Sequence, residues 1–227
     1  MKVSDVFSEL VYGELSAHAL AMDGVLSDVG KARVLRHMEM GLLDLYTRFP
    51  LLSKEVIIEQ IEGRTTYPLK AIYAVTNDTV GDKFIMDSKY DPFLEDVIRI
   101  TEVADEVGDV LEINSADYDK VVNLVSFDTL EIPNAVDTNA LFITYQAKHP
   151  VLASEDSEVL LPMYLVPALC SYIGYRVYSG GTVPEHVNKG VELLNKYEML
   201  CSQMDILGMV NSSMSIVNPR PELNGWI

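Results

Sequence analysis

A chain of 227 residues, 48% of them apolar, carries enough nonpolar side chains to fill a substantial core, which excludes a disordered polypeptide and allows one large domain or two small ones. Its 34 acidic residues against 17 basic ones leave a formal charge of −17, which opposes non-specific attachment to phosphate backbones and to anionic membrane surfaces. The start, Met1-Lys2-Val3-Ser4-Asp5, lacks the layout of a secretory signal, and the longest apolar run, residues 159–173, is broken by Pro162 and Pro167 and too short for a membrane span.

In chain order, Val6, Phe7, Leu10 and Val11 predict a short first helix over residues 4–12, with Ser4 as cap and Gly13 as break. A stronger helix is expected over residues 27–49, where Leu35, Met38, Leu42, Leu45 and Phe49 form one apolar face before Pro50. The period then changes. Runs at 56–58, 71–75, 97–103, 110–113, 121–125, 130–132 and 141–145 are rich in branched and aromatic residues, and polar turns separate them. Gly108-Asp109 is a hairpin signal between Val103 and Val110. These runs predict a compact antiparallel β unit of about six or seven strands.

Helical spacing returns over residues 162–178, a segment apolar on most sides that belongs in the centre of a bundle, with Pro167 as either a kink or the true start. Ser179-Gly180-Gly181 leads to Thr182-Val183-Pro184-Glu185, which has capping-box spacing. A last helix follows to about Val210, with Val187, Val191, Leu194, Tyr197, Cys201 and Met204 as its stripe. Cys170 and Cys201 fall about 12 Å out of step on these two antiparallel helices, beyond disulfide reach. Two buried thiols in a reduced compartment follow. No helix pair is stable alone, so the two ends of the chain are expected to pack together.

The fold class expected is α+β: a four-helix-type bundle from residues 1–50 and 158–211, an inserted antiparallel β domain at 51–157, and an extended C-terminal arm at 212–227. The arm holds the single tryptophan. Pro219 and Pro221 followed by Asn224-Gly225 rule out a continuous helix, so Trp226 and Ile227 cannot be buried on one regular face. Two readings follow, an end folded over its own core and an arm inserted into a partner's groove.

Chemistry is sparse. His18, His37, His149 and His186 lack the spacing that sets two metal ligands on one face, with His37 expected as a packing residue and His186 as solvated. Asp78, Asp82, Asp87 and Asp91 lack the order of a calcium loop. No nucleophile elbow, phosphate loop or dinucleotide turn is present, so no catalytic, cofactor or metal residue is assigned. Tyr164, Tyr172, Tyr175 and Tyr178 cluster on the third long helix with only Arg176 nearby, which favours core packing over base stacking.

The opening Ser4-Asp5-Val6-Phe7-Ser8-Glu9-Leu10 with Tyr12-Gly13-Glu14-Leu15-Ser16 resembles the start of tailed-phage head-to-tail adaptor proteins. So do Leu42-Leu43-Asp44-Leu45-Tyr46-Thr47-Arg48-Phe49 and the segment 167–178 followed by Pro184-Glu185. The likeness covers the four helices, about half the chain, and its motifs are packing patterns rather than catalytic signatures. It implies a non-enzymatic structural protein, made in the host cytoplasm and placed in the virion neck. There it would form a homo-oligomeric ring of about twelve copies on the portal protein, with tail or nozzle proteins on the other face. DNA would pass through the ring without specific binding, and no membrane is involved. Such adaptors insert a C-terminal arm into the portal. Asn218, Pro219, Arg220, Pro221, Glu222, Leu223, Asn224, Gly225, Trp226 and Ile227 fit that role, with Trp226 and Ile227 as apolar anchors and Arg220 and Glu222 fixing register. Rival readings are another neck or tail ring, such as a terminator or nozzle subunit, a small-molecule-binding protein or enzyme, and a helical regulatory module.

Overall fold

The protein has an α+β fold, described by a computed structural model over residues 1–115, 122–136, 138–181 and 183–208. Among the described residues its contacts divide it into two compact units, one made of Met1–Leu51 and residues 149–208, the other of Leu52–Lys148.

In the first unit α1 (Val3–Tyr12), α2 (Asp28–Arg48), α3 (Val166–Tyr178) and α4 (Pro184–Leu207) are the long elements. The apolar α3 packs against α1, α2 and α4. Ala168, Leu169, Cys170, Ile173, Gly174 and Val177 are all buried, so nearly every face of the helix is covered. Pro167 lies in its first turn, where a missing amide donor costs nothing, and a 3-10 turn over Met163–Leu165 precedes it. Pro167 therefore marks the start of the helix and does not kink it. Ahead of that turn the chain makes one isolated bridge, Glu158 with Lys2.

The cap of α1 is Lys2 instead of Ser4, and its backbone N–H donates to Asp5 Oδ2 at 2.7 Å. The amides of Val3 and Ser4 donate to the carbonyls of Ser157 and Glu155, both at 3.0 Å. A passing backbone thus satisfies the exposed donors of the first turn, and the Ser4 hydroxyl is not needed. The segment from His149 to Ser157, assigned to the β domain from sequence, packs with the helices for this reason. Ser27 caps α2 as expected, accepting from Gly30 N at 3.1 Å. Val34, Met38, Leu42 and Leu45 line the buried face of α2, and Leu35 is only half-buried.

The last helix departs from its predicted stripe. Gly190, Leu193, Tyr197 and Cys201 face inward, whereas Val187 and Val191 are exposed. A Cβ at Gly190 would stand 3.0 Å from Ser179 Oγ, so α4 meets the end of α3 through a glycine, which turns the two valines to the flank. Val183 occupies the cap position without a side-chain bond, and Thr182, the expected cap, lies outside the described residues. The helix ends at Gly208, whose φ of 63° is the left-handed conformation of a helix stop. Both cysteines are buried and unbridged, and burial pushes the Cys170 thiol up to about 12.

Two polar devices tie distant parts of this unit. Arg48 makes a paired contact with Glu198, both distances 2.7 Å, bonds Asp44 at 3.0 Å and lies over the Tyr197 ring. Tyr197 in turn donates its hydroxyl to Asp44. The peptide of Leu160 is held at both ends: its N–H donates to His149 Nε2 at 2.9 Å and its carbonyl accepts from the Tyr46 hydroxyl. The Tyr46 and His149 rings meet edge to face at 5.4 Å.

Among its described residues the second unit contains seven short strands: β1 (Ser53–Glu59), β2 (Thr66–Pro68), β3 (Ile85–Met86), β4 (Val97–Ala104), β5 (Asn123–Ser126), β6 (Thr129–Glu131) and β7 (Ala140–Ala147). These strands pair antiparallel, in a four-stranded sheet ordered β3-β1-β7-β4 and a three-stranded sheet ordered β2-β6-β5. Their shared core includes Val56, Ile58, Tyr67, Leu69, Phe84, Ile100, Val103, Leu130 and Ile143. The run at 71–75, expected as a strand, is a 3-10 turn over Ala71–Tyr73 with Ile72 exposed, because Pro68 ends β2 and the Glu95 carboxylate takes the Ala71 amide at 3.1 Å. The run at 110–113 contributes only isolated bridges, Ala104 with Val110 and Ile113 with Val122. The turn at Gly108 forms as the sequence indicated, with the Asp105 side chain accepting from the amides of Val107 and Asp109.

Replacing Ile173 at the centre of α3 with Ala is expected to cost about 3 kcal/mol through the cavity it leaves. Gly41→Val is expected to cost about 2 kcal/mol by overpacking, since a Cβ there would stand 2.8 Å from the Tyr172 ring and 2.9 Å from Leu169. Urea denaturation of the full chain measures both.

Candidate functional site

A cleft of about 620 Å³ opens in the β unit. It opens where β3 stops, since β3 pairs with β1 only at Ile57 and Ile58 and the chain then leaves through Asp87 and Ser88. Lys54 and Val56 of β1, Phe93 and Tyr145 of β7 complete its walls. Asp96 is buried beside it and accepts from Lys54 Nζ at 2.6 Å and from the Tyr145 hydroxyl at 3.0 Å. Burial, reinforced by the Asp96 charge, pushes the Tyr145 phenol well above its ordinary value. Tyr145 is therefore a fixed hydrogen-bond donor at neutral pH, and the Lys54, Asp96 and Tyr145 network organises the cleft wall without supplying a proton-transfer group.

Asp87, on the rim, accepts from the amides of Thr76 at 2.9 Å and Phe93 at 3.1 Å and from the Thr76 hydroxyl. Burial alone would raise its pKa, but these bonds outweigh it and hold the carboxyl below its usual value. Asp82 pairs with Arg64 at 3.3 Å. The acidic residues noted in sequence thus have separate local duties, and among the described residues no group of three or more His, Cys, Asp or Glu side chains is placed to hold a metal ion. Arg64 was not singled out from sequence. Its guanidinium lies 4.4 Å from the Phe84 ring centre and 5.0 Å from that of Tyr73, an arrangement no short motif announces because the three residues come from separate loops.

The histidines also differ from expectation. His186, expected to be solvated, lies 5.4 Å ring to ring from both Tyr178 and His18, because the last helix begins against the end of α3. His149 donates from Nδ1 to Pro150 O at 2.6 Å while Nε2 accepts from Leu160, which fixes one neutral tautomer. Burial lowers the pKa of His18, His37 and His149, and the charge of Arg33 adds to the effect at His18 and His37. In the tyrosine cluster, Tyr172 packs on Tyr175 and Tyr197 and Tyr178 is buried, the core role expected of them, while Tyr164 is half-buried in the 3-10 turn before α3. The arm residues Asn218 to Ile227 lie outside the described residues. No helix among the described residues is long and apolar enough to cross a membrane. No protein-family model matches the chain, and no curated protein matches it significantly.

Asp96→Ala is expected to destabilise the β unit by about 2–3 kcal/mol, because Lys54 and the Tyr145 hydroxyl lose their acceptor; urea denaturation followed by tyrosine fluorescence measures it. The depressed histidine values make the unfolded chain bind more protons than the folded one below about pH 6.5, so their stabilisation is present above that pH and lost as pH falls through the folded values. The melting temperature is expected to drop between pH 7.5 and 5.5, and to drop less in His149→Gln.

Proposed function

We propose that this chain is a structural subunit of a tailed-phage neck, one copy of a ring that joins the portal to the tail. In this reading the helices of the two chain ends form a four-helix-type bundle that carries the inserted antiparallel β unit. The observation that carries the proposal is the end of α4. Ile206 and Leu207 are 84% and 65% exposed in the last turn, and Gly208 then redirects the chain toward the segment that contains Trp226 and Ile227. Apolar side chains left in water at the root of an apolar-tipped arm call for a cover supplied by another molecule.

The resemblance of the four helices to head-to-tail adaptors supplies the identity of that cover, the portal. The acidic composition suits a channel wall along which DNA slides without adhering. Tail or nozzle proteins would occupy the opposite face of the ring. The cleft in the β unit, with its satisfied polar network, supports a recognition role in preference to a catalytic one.

Full-length protein is expected to co-sediment with purified portal rings and to add a ring in negative-stain images, whereas a version truncated after Val217 stays in the supernatant. Trp226→Ala is expected to weaken binding by about 30-fold, the effect of losing one buried aromatic anchor of about 2 kcal/mol. Equal binding by the truncated and full-length proteins overturns the anchor role of the arm, and no binding by either overturns the portal assignment.

A further inference from the structure

The helical unit holds a second cleft, of about 350 Å³, lined by Arg33, Arg36 and His37 of α2 and by Arg176, Ser179 and Gly180 at the end of α3. Its charge is opposite to that of the chain. Elsewhere among the described residues each arginine meets an acidic or amide side chain: Arg48 pairs with Asp44 and Glu198, Arg64 with Asp82, and Arg99 donates to Gln146 Oε1 at 2.7 Å. Among the described residues the three cleft arginines make no ion pair, in a chain with twice as many acidic as basic side chains.

Arg33 donates to the Val177 carbonyl at 3.2 Å, so part of its role is to cap the last turn of α3. That leaves Arg36 and Arg176 unexplained, since Arg176 approaches only Met40 Sδ at 3.9 Å and lies 6.0 Å from the Tyr175 ring centre. Gly180 makes room for the cluster: a Cβ there would fall 2.5 Å from Arg33 Nη2. His37 faces the same cleft, and both of its ring nitrogens are buried without a hydrogen-bond partner among the described residues. Burial depresses its pKa first, and the charges of Arg33 and Arg176 depress it further, the mark of a positive field that no nearby carboxylate cancels. Convergent like charges and an orphaned imidazole cost stability unless an anion relieves them.

We propose that this cleft binds the phosphoryl group of a small molecule, held by the guanidinium forks of Arg33, Arg36 and Arg176 and seated against His37 and Ser179. A carboxylate fills one guanidinium fork with its two oxygens, whereas a dianionic tetrahedral group presents acceptor edges to several at once. The volume is at the small end for ligand pockets and accommodates phosphate, pyrophosphate or the diphosphate of a nucleotide. The charge of −17 repels a polyanion over the rest of the surface, which favours a small ligand over a nucleic-acid backbone. This assignment stands apart from the neck reading and is tested without any portal.

Calorimetric titration of the full chain with pyrophosphate, at fixed ionic strength and pH 7.5, is expected to give saturable binding at one site. Arg36→Ala, a change at an exposed position, is expected to weaken it about tenfold or more, and Arg176→Lys, which keeps the charge but loses the fork, is expected to weaken it as well. Melting curves of both variants without ligand establish that they fold, and pyrophosphate should raise the melting temperature of the parent more than that of either variant. Absence of saturable binding, or undiminished binding by folded Arg36→Ala and Arg176→Lys proteins, overturns the proposal. Equal affinity for succinate removes the phosphoryl assignment, and binding of a short DNA duplex in the absence of pyrophosphate binding replaces the small ligand with a polyanion.

Discussion

A helix that is apolar on nearly every side cannot stand at a surface, and α3 sets that condition for the helical unit. Its buried residues fall all around the axis, so covering only one face would leave a row of large side chains in water. The neighbour in sequence, α4, supplies one wall, while α1 and α2 arrive from the other end of the chain to supply the rest. The helical unit is therefore discontinuous in sequence for a physical reason. Long-range polar ties reinforce it, with Arg48 of α2 reaching Glu198 of α4 and Tyr46 of α2 holding the carbonyl of Leu160. Small residues at the contacts, Gly41 facing Leu169 and Tyr172 and Gly190 facing Ser179, permit the close approach that such coverage needs.

The β unit answers a different constraint. Its strands are short, so each contributes few ladder bonds, and buried polar contacts take over part of the positioning. Tyr67 bonds the backbone of Ile61 in both directions, and Asp128 is held by Lys70, Ser126 and Thr129. The edge strand β4 carries two register shifts, and the other edge, β3, has only two residues, both devices that discourage pairing with a further sheet. The cleft with its Lys54, Asp96 and Tyr145 wall is a by-product of β3 ending early, and it is rigid because its polar groups are satisfied from within.

Charge is distributed with more purpose than the net value suggests. Among the described residues eight lysines and arginines pair with carboxylates, while three arginines converge at the end of α3. The proposed neck role would use the acidic exterior to let DNA pass, and the proposed ligand of the local basic cleft is a small anion. The acidic exterior follows from composition, but the basic cleft does not, because the same count of residues spread evenly would give a uniformly acidic surface without a site.

The sequence by itself determined what depends on nearest neighbours along the chain. The helical period placed α2 and α3 within a few residues, Ser27 capped the one and Pro167 opened the other, and Gly108-Asp109 turned the chain between β4 and Val110. The branched runs located β1, β4 and β7, whose length lets a pleated pattern accumulate. Tertiary structure decided the rest. The run 71–75 has strand composition, yet it keeps only an isolated bridge from Ala74 to Ile85, because the proline before it and a carboxylate from Glu95 bent Ala71–Tyr73 into a 3-10 turn. Val187 and Val191 belong to a credible stripe, yet the buried line of α4 passes through Gly190, where a Cβ would stand 3.0 Å from Ser179 Oγ. Ser4 has the chemistry of a cap, but a backbone segment about 150 residues away took its place. The arginine cleft was illegible for the same reason: Arg33 and Arg36 are separated from Arg176 by the whole β unit, and periodicity reports only which residues share an element, never which distant side chains that element will meet.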